Sequence, residues 1–164
     1  MFAAPLIAKA KELLKNCGQY NLTIITAESC TGGLLSALLT EVPGSSTVFE
    51  RGFVTYSNTA KETELGVPEA LIAKHGAVSA EVAGAMVQGA LAKTGTGIAV
   101  SITGVAGPGG GSAEKPVGLV YIAVARTGRK PVVKQHQFSG DRSAVRMAAV
   151  DTALEIMDVV IKDK

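Results

Sequence analysis

The feature that most constrains the fold of this chain is a near-continuous apolar segment at 97–103, with the sequence GIAVSIT. Such a strand is typical of a sheet covered by helices on both faces, because a strand with one face in water alternates apolar and polar residues. Two β-branched segments, at 21–27 and 48–57, are each followed by helical periodicity. Strands joined by helical crossovers predict parallel pairing, right-handed connections and a three-layer α/β/α domain.

The pattern changes after residue 116. Segments 117–125 and 131–138 have strand character and are separated by the short glycine-bearing loop RTGRK, which predicts an antiparallel hairpin. We therefore predict an α/β fold with a mixed, mostly parallel five-stranded sheet in which the fourth strand is antiparallel. A chain of 164 residues can bury one core but not two, so a single domain over 1–164 is expected.

Capping residues indicate where helices begin and end. The helical pattern that opens the chain is expected to stop at Gly18, and Ser79 is the expected N-cap of an alanine-rich helix. Either Ser139 or Asp141 is expected to cap the last helix. The inward face of that helix is predicted to contain Ala144, Val145, Ala148, Ala149 and Ala153.

Composition argues against several classes of function. A formal net charge of +2 and an aromatic content of 4% disfavour nucleic acid as a ligand, because such proteins need a basic face or stacking platforms. The longest uncharged stretch, 94–113, is too rich in glycine for a membrane helix. The N-terminus has no basic n-region, so a cytoplasmic location is expected. Two cysteines and two histidines without ligand spacing predict neither a disulfide scaffold nor a metal site.

Polar and unusual residues are concentrated in four loops of the predicted fold. With an antiparallel fourth strand, strands one, two, three and five end at the same edge of the sheet, where ligand sites of open α/β sheets lie. The loops 29–33, 56–61, 103–107 and 140–142 then meet there. This convergence predicts a functional site at that edge.

The SCTGG motif at 29–33 allows two interpretations. Its backbone N–H groups suit a phosphate or an oxyanion beside the Ser29 hydroxyl and the Cys30 thiol. Alternatively, it is only a capped helix start with glycines for close packing. Ser29 is not in a GxSxG motif, so a serine triad is weakly supported. Cys30 ranks second as a nucleophile, because a helix N-terminus lowers a thiol pKa but no histidine partner is visible.

Two cations in the same loops are candidates for function. A lysine partly desolvated beside a serine can accept the hydroxyl proton, which makes Lys61 a candidate base; alternatively, it is a solvated residue in a first helical turn. Arg142 at a helix start is unusual, because the helix dipole disfavours cations there. An anionic ligand would explain the position of Arg142, and so would an ion pair with Asp141 or Glu155.

The glycine-rich loop 104–116 matches neither GxxxxGK[ST] nor GxGxxG, and it is weak evidence for nucleoside triphosphate binding.

Six motifs together resemble the CinA C-terminal domain family. They are TAESCTGG at 26–33, FERGFVTYSNTAK at 49–61, LGV at 65–67, HGAVS at 75–79, SITGVAGPGGGSAEKPVG at 101–118 and GDRSAVR at 140–146. They occur in the family's order and cover nearly the whole chain. The resemblance implies a three-layer α/β/α fold with a mixed five-stranded sheet and no metal or other cofactor. It also implies hydrolysis of the carboxamide of nicotinamide mononucleotide, with release of ammonia, in pyridine nucleotide recycling.

The resemblance further implies roles for particular residues. By its place in AESCTGG, Ser29 looks like the nucleophile, and Lys61, in YSNTAK, looks like the base that takes its proton. Tyr56 looks like a helper of this pair, and Arg142, in GDR, looks like a further active-site residue. The candidate substrate-binding residues are Cys30, Thr31, Gly32, Gly33, Asn58, Thr103 and Gly104. A small-molecule nucleotide substrate and a second copy of the chain, in a homodimer, are the expected partners.

Two other classes of function compete with an amidohydrolase. A nucleotide-binding or regulatory module would keep the pocket without turnover, although the intact set of Ser29, Tyr56 and Lys61 favours catalysis. A DNA-associated competence factor fits poorly with a net charge of +2 and few aromatic residues. The amidohydrolase is therefore the leading hypothesis from the sequence.

Overall fold

The computed structural model describes residues 1–95 and 97–163, and within them six α-helices and five strands follow one another along the chain. The helices are α1 (Ala4–Gln19), α2 (Leu34–Thr40), α3 (Asn58–Leu65), α4 (Glu69–His75), α5 (Ala80–Ala92) and α6 (Arg142–Lys162). The strands are β1 (Ile24–Glu28), β2 (Phe49–Val54), β3 (Ile98–Gly104), β4 (Leu119–Arg126) and β5 (Val132–Gln137). Thr96 and Lys164, which belong to the predicted domain span 1–164, lie outside the described residues.

The strands form one mixed sheet in the order β2-β1-β3-β4-β5. β1 pairs in parallel with both β2 and β3, whereas β4 is antiparallel to β3 and β5 is antiparallel to β4. β5 therefore runs in the same direction as β1, β2 and β3. The predicted mixed sheet with an antiparallel fourth strand is confirmed, and β1, β2, β3 and β5 all end at one edge.

Helices cover both faces of the sheet, as the apolar segment at 97–103 predicts. α1, α2 and α6 pack on one face, and α3, α4 and α5 pack on the other, so that Ile24 and Ile25 of β1 belong to opposite cores. On the second face the packing is close, because a Cβ at Gly89 of α5 would lie 1.8 Å from the carbonyl oxygen of Leu65. The three-layer architecture is therefore confirmed. Among the described residues, no helix is both long enough and apolar enough to cross a membrane.

The first helix is longer than predicted, and Gly18 does not stop it. α1 continues to Gln19, and Asn21 adopts the left-handed conformation that ends the helical segment, with a φ of 53°. Asparagine tolerates this conformation because its short polar side chain forms local hydrogen bonds. The N–H groups of Asn21 and Leu22 donate to the carbonyl oxygens of Gly18 and Cys17, which reverses the chain there.

The last helix is capped by Asp141 rather than by Ser139. The Asp141 side chain accepts a hydrogen bond from the backbone N–H of Ala144 at 2.8 Å. Ala144 itself is exposed, contrary to the prediction, because it lies in the first turn and α6 first reaches the core one residue later. The other residues predicted to face inward are buried or half-buried: Val145, Ala148, Ala149 and Ala153.

β2 is shorter than the sequence predicts, whereas the start of α5 is as predicted. β2 ends at Val54, earlier than the predicted segment 48–57, because the chain leaves the sheet towards α3 after Thr55. The backbone N–H of Thr55 still donates to the carbonyl oxygen of Glu28 at 2.8 Å. Ser79 caps α5 as predicted, by accepting a hydrogen bond from a backbone N–H of the first turn.

Candidate active site

An open pocket of about 280 Å³ lies at the sheet edge where β1, β2, β3 and β5 end. Each of the loops predicted to meet at this edge contributes to the lining of the pocket. The lining residues from these loops include Ser29, Tyr56, Lys61, Thr103, Gly104 and Arg142. Segments far apart in sequence therefore meet because strands of the same direction end together.

The Ser29 side chain and the Lys61 side chain are in direct contact. Ser29 follows β1, and its backbone N–H donates to the carbonyl oxygen of Ile102 on β3 at 2.9 Å. Lys61 lies on α3, which begins after Ser57, whose hydroxyl accepts a hydrogen bond from the N–H of Ala60. The Lys61 Nζ atom lies 3.0 Å from the Ser29 Oγ atom. The parallel pairing of β1 and β2 thus brings a hydroxyl and an amine from different loops within hydrogen-bonding distance.

Lys61 is buried, with 1% of its surface exposed, so it is not the solvated helix residue of the alternative interpretation. Burial lowers the pKa of Lys61 below its ordinary value, against a smaller opposing effect of Cys30. The amine also donates to the carbonyl oxygens of Thr55, at 2.8 Å, and Tyr56, at 3.4 Å. In its neutral form the amine has two N–H donors for these carbonyls and a lone pair for the proton of the Ser29 hydroxyl.

Glu28, the last residue of β1, is fully buried and caps the start of α2. One carboxyl oxygen accepts hydrogen bonds from the N–H groups of Gly33 and Leu35, and the other accepts from the N–H and the hydroxyl of Ser36. The helix start is therefore capped, as one interpretation of the SCTGG motif predicts, but the cap comes from Glu28 and not from a residue of the motif. These N–H groups are not available to a ligand. The backbone N–H groups of residues 30–31 are not part of this cap.

Only part of the candidate substrate-binding set reaches the pocket. The members that line it are Cys30, Thr103 and Gly104. The members outside its lining are Thr31, Gly32, Gly33 and Asn58. Gly32 and Gly33 turn the chain with positive φ values of 60° and 91°, which glycine adopts without steric cost. Asn58 is exposed at the first position of α3.

Arg142 connects two of the loops that form the pocket. Its guanidinium donates to the carbonyl oxygen of Gly107 and to the hydroxyl of Tyr56, both at 2.9 Å. Neither of the ion pairs considered from the sequence is present between the described side chains, because Asp141 caps α6 and Glu155 pairs with a lysine of α1. A guanidinium has five N–H donors, so Arg142 retains donors for an anionic ligand.

Backbone forms the wall that the glycine-rich loop contributes to the pocket. The glycines that line it are Gly104, Gly107, Gly109 and Gly110. At Gly104 a Cβ would lie 2.7 Å from the carbonyl oxygen of Leu119, so the close approach of β3 and β4 requires glycine there. Lys115 anchors the far end of the loop by donating to the carbonyl oxygen of His75, at the C-terminus of α4, where a cation interacts favourably with the helix dipole.

The Cys30 thiol is poorly suited to act as a nucleophile. Burial raises the pKa of Cys30 to about 11, so the thiol is protonated at neutral pH. The helix start that was expected to lower this pKa already interacts with the carboxyl group of Glu28. The geometry therefore favours the Ser29 hydroxyl over the Cys30 thiol.

Sequence reasoning did not single out two residues that contact the turn after β1. Glu28 lies within TAESCTGG, and Arg146 lies within GDRSAVR, so membership of a motif was the available signal. The Arg146 guanidinium donates to the carbonyl oxygen of Thr31 at 2.8 Å, across 115 residues of sequence. A contact over that separation leaves no local pattern in the chain.

In residues 1–95 and 97–163, no group of three or more histidine, cysteine, aspartate or glutamate side chains lies close enough together to bind a metal ion.

The fold and the pocket define a class of α/β protein in which a serine and a desolvated lysine meet at the carboxyl edge of a mixed sheet. The family model described as the CinA C-terminal domain matches residues 7–161. This chain therefore belongs to the CinA C-terminal domain family, and the resemblance inferred from the six motifs is confirmed.

Relatives of two lengths match the chain. The nicotinamide-nucleotide amidohydrolase PncC of Pseudomonas putida is 49% identical over 151 residues, which cover 92% of this chain and 94% of that protein. The protein of the same name from Escherichia coli (strain K12) is 51% identical over 82% of each chain. A putative competence-damage inducible protein of Caldicellulosiruptor bescii is 51% identical over 142 residues, but this chain spans only 34% of its length.

Solved structures show the same fold. The competence/damage inducible protein CihA from Agrobacterium tumefaciens superposes with a TM-score of 0.95 at 41% sequence identity, and the match covers 99% of each chain. A CinA superfamily protein from Enterobacter cloacae superposes with a TM-score of 0.90 at 30% identity. The three-layer architecture is therefore shared with these solved relatives.

Proposed function

We propose that this protein is a nicotinamide-nucleotide amidohydrolase, which converts the carboxamide of nicotinamide mononucleotide to a carboxylate and releases ammonia in pyridine nucleotide recycling. The observation that supports the proposal most strongly is the 3.0 Å contact between Ser29 Oγ and the buried Lys61 amine. This pair lies in an open pocket, and relatives of similar length have this activity in their names.

The first half of the proposed reaction forms an acyl-enzyme. The neutral Lys61 amine accepts the proton of the Ser29 hydroxyl while Oγ attacks the carboxamide carbon. The backbone N–H groups of Cys30 and Thr31 donate to the oxyanion of the tetrahedral intermediate. Lys61 then gives its proton to the leaving nitrogen, the carbon–nitrogen bond breaks, and ammonia departs. Ser29 remains as a nicotinoyl ester.

The second half of the reaction hydrolyses this ester. Water enters the open side of the pocket, and Lys61 takes a proton from it as its oxygen attacks the ester carbon. The bond from the carbon to Ser29 Oγ breaks, and Lys61 returns the proton to Oγ. The product acid releases its remaining proton to solvent and leaves as the carboxylate, and the Ser29 hydroxyl and the neutral Lys61 amine are both restored.

The ribose phosphate of the substrate requires a cationic partner away from the reacting carbon. Because Glu28 occupies the N–H groups at the start of α2, the phosphate is assigned to Arg142, which keeps free donors beside the glycine-rich loop. The backbone walls near Thr103 and Gly104 leave room for the ribose. Tyr56 orients the guanidinium of Arg142 through its hydroxyl.

Ammonia release from a panel of four compounds tests the proposed function. The compounds are nicotinamide mononucleotide, nicotinamide riboside, the dinucleotide and free nicotinamide. We expect release from the mononucleotide, loss of release in Ser29→Ala, and unchanged release in Ser46→Ala, which removes an exposed serine at the opposite end of the sheet. Tight nucleotide binding with no ammonia from any compound would instead identify a non-catalytic binding module.

We further propose that the enzyme acts in the cytoplasm as a homodimer, because pyridine nucleotides are recycled there and an apolar-rich small domain favours self-association. Light scattering coupled to size-exclusion chromatography measures the mass directly. A dimer is expected, with a mass twice the 16.7 kDa of one chain, and a monomeric mass at micromolar concentration contradicts this part of the proposal.

A further inference from the structure

Two hydrogen bonds hold the backbone of the turn that follows β1. The backbone N–H of Gly32 donates to the carbonyl oxygen of Ser29 at 3.0 Å, which closes a β-turn with Cys30 and Thr31 at its centre. The carbonyl oxygen of Thr31 in turn accepts a hydrogen bond from the Arg146 guanidinium at 2.8 Å. The orientations of the Ser29–Cys30 and Thr31–Gly32 peptides therefore depend on these two contacts.

Peptide planarity links these contacts to the Cys30 N–H. In a trans peptide the C=O and N–H groups point in opposite directions. Because Arg146 binds the Thr31 carbonyl on one side, the Gly32 N–H of the same peptide points to the other side, towards Ser29. Because the Ser29 carbonyl accepts that N–H, the Cys30 N–H of the Ser29–Cys30 peptide points away from the interior of the turn. Cys30 lines the pocket, so the Ser29–Cys30 peptide lies at the pocket wall, next in the chain to the Ser29 side chain.

The Arg146 side chain packs against the protein and does not extend freely into solvent. It lies on α6 one helical turn after Arg142, so both arginines project from the same side of the helix. Its side chain is half-buried, and its Nε atom is buried without a hydrogen-bond partner in the part of the chain that the structure describes. A buried unpaired N–H costs stability, so packing alone does not explain an arginine at this position.

We propose that Arg146 is a positioning residue that orients the Cys30 backbone N–H towards the oxyanion of the reaction. The proposal rests on the proposed function, because it assigns the oxyanion formed at Ser29 to this donor. Arg146 does not contact the reacting atoms; it acts through the Thr31–Gly32 and Ser29–Cys30 peptides. Its removal should therefore weaken binding of the transition state and leave binding of the ground state unchanged.

The test compares Arg146→Met, Arg146→Lys and Arg129→Met. Methionine preserves the apolar length of the side chain but cannot donate to Thr31, lysine retains one donor, and Arg129 is an exposed arginine in the β4–β5 hairpin that controls for the lost charge. We expect Arg146→Met to lower kcat for nicotinamide mononucleotide by at least about ten-fold and to leave KM within about two-fold of its original value. Removal of one oxyanion donor lowers kcat by about 10²–10³-fold. Arg146→Lys should recover most of this loss, and Arg129→Met should match the unmodified protein.

An aldehyde analogue of nicotinamide mononucleotide separates positioning from a general structural role. It forms a hemiacetal with Ser29 whose oxygen occupies the oxyanion position, so its affinity should fall in Arg146→Met by the same factor as kcat/KM. Affinity for the carboxylate product should stay within about two-fold. Equal weakening of the analogue and the product, or an unchanged kcat, overturns the proposal.

Acylation of Ser29 by p-nitrophenyl acetate, located by mass spectrometry, distinguishes failure of this inference from failure of the proposed function. This ester needs the oxyanion donor but not the nucleotide pocket. Slower acylation in Arg146→Met than in Arg129→Met supports the inference even when nicotinamide mononucleotide is not a substrate. Equal rates in these two variants, or an unmodified protein that is not acylated at Ser29, overturn it.

Discussion

Lys61 is buried among neutral partners, which are the Ser29 hydroxyl and the carbonyl oxygens of Thr55 and Tyr56. Removal of an ammonium group from water disfavours its charged form, and this desolvation lowers the pKa of Lys61. The same burial that makes the amine a useful base therefore reduces the stability of the folded protein whenever the amine is protonated.

Activity and stability should both depend on the protonation of Lys61. We expect kcat/KM for nicotinamide mononucleotide to rise with pH along a limb whose midpoint lies below about 10.4, the pKa of an unperturbed lysine. Between the folded and unfolded pKa values only the unfolded chain keeps this proton, so the free energy of unfolding also rises with pH across that interval. Initial rates and urea denaturation, each measured over a series of pH values, report the two effects.

Lys61→Met should flatten this part of the stability profile. Lys130→Met, which removes an exposed lysine of the β4–β5 hairpin, should preserve both profiles. Activity that does not change with pH, or a limb with a midpoint at or above the ordinary lysine pKa, would show that Lys61 is not the titrating base.

At the scale of elements, the β1–α2 connection depends on Glu28. The N-cap residue of α2, Gly33, has no side chain to accept the N–H groups of the first turn, and the carboxyl group of Glu28 takes this role from the preceding strand. These hydrogen bonds link the end of β1 to the start of α2, across the turn that contains Ser29. A change at Glu28 therefore affects the element junction as a whole.

Glu28→Gln should destabilise the fold. The amide replaces one acceptor oxygen by an NH₂ group that faces N–H donors, so buried donors lose their partner. The free energy of unfolding should therefore fall by about 2–4 kcal/mol. Urea denaturation measures the change. Glu41→Gln, at the exposed C-terminal end of the same helix, is the matched control and should shift the free energy of unfolding by less than about 0.5 kcal/mol. Equal effects of the two substitutions would contradict the capping role of Glu28.

The start of α6 bridges two loops of the pocket through Arg142. If the free donors of this guanidinium bind the substrate phosphate, Arg142→Ala should raise KM for nicotinamide mononucleotide by about ten-fold or more, because a hydrogen bond to a charged group is worth about 1.5–3 kcal/mol. KM for the riboside, which has no phosphate, should change much less. Steady-state kinetics on both substrates, with Arg129→Ala as the control, decide the point. An equal rise in KM for the two substrates would show that Arg142 does not bind the phosphate and only holds Tyr56 and Gly107 in place.

At the scale of the whole molecule, the sequence predicted the topology because the relevant signals are local. Buried strands, helical crossovers and the RTGRK hairpin determine strand direction, and strand direction determines which loops meet. The contact between Ser29 and Lys61 follows from that convergence together with the family resemblance. The prediction of a stop at Gly18 was wrong, because Asn21 can adopt the left-handed conformation as well.

The supporting contacts of the site could not be predicted in the same way. Arg146 and Thr31 are 115 residues apart, and their hydrogen bond depends on how α6 packs beside the turn after β1. Asn58 was a candidate for substrate binding by its place in a motif, but the first position of α3 directs it to solvent. Tertiary packing, and not local pattern, determines which motif residues face the pocket.

The central claim is that Ser29 and Lys61 act as one catalytic unit on nicotinamide mononucleotide, and a double-mutant cycle tests it most directly. kcat is measured for Ser29→Ala, Lys61→Ala and the double variant, with folding checked by circular dichroism. Each single substitution should lower kcat by at least about 10³-fold, which corresponds to about 4 kcal/mol, and the double variant should be little worse than either. Additive losses would contradict the account, as would a Ser29→Ala enzyme with near-normal turnover alongside an inactive Cys30→Ala enzyme.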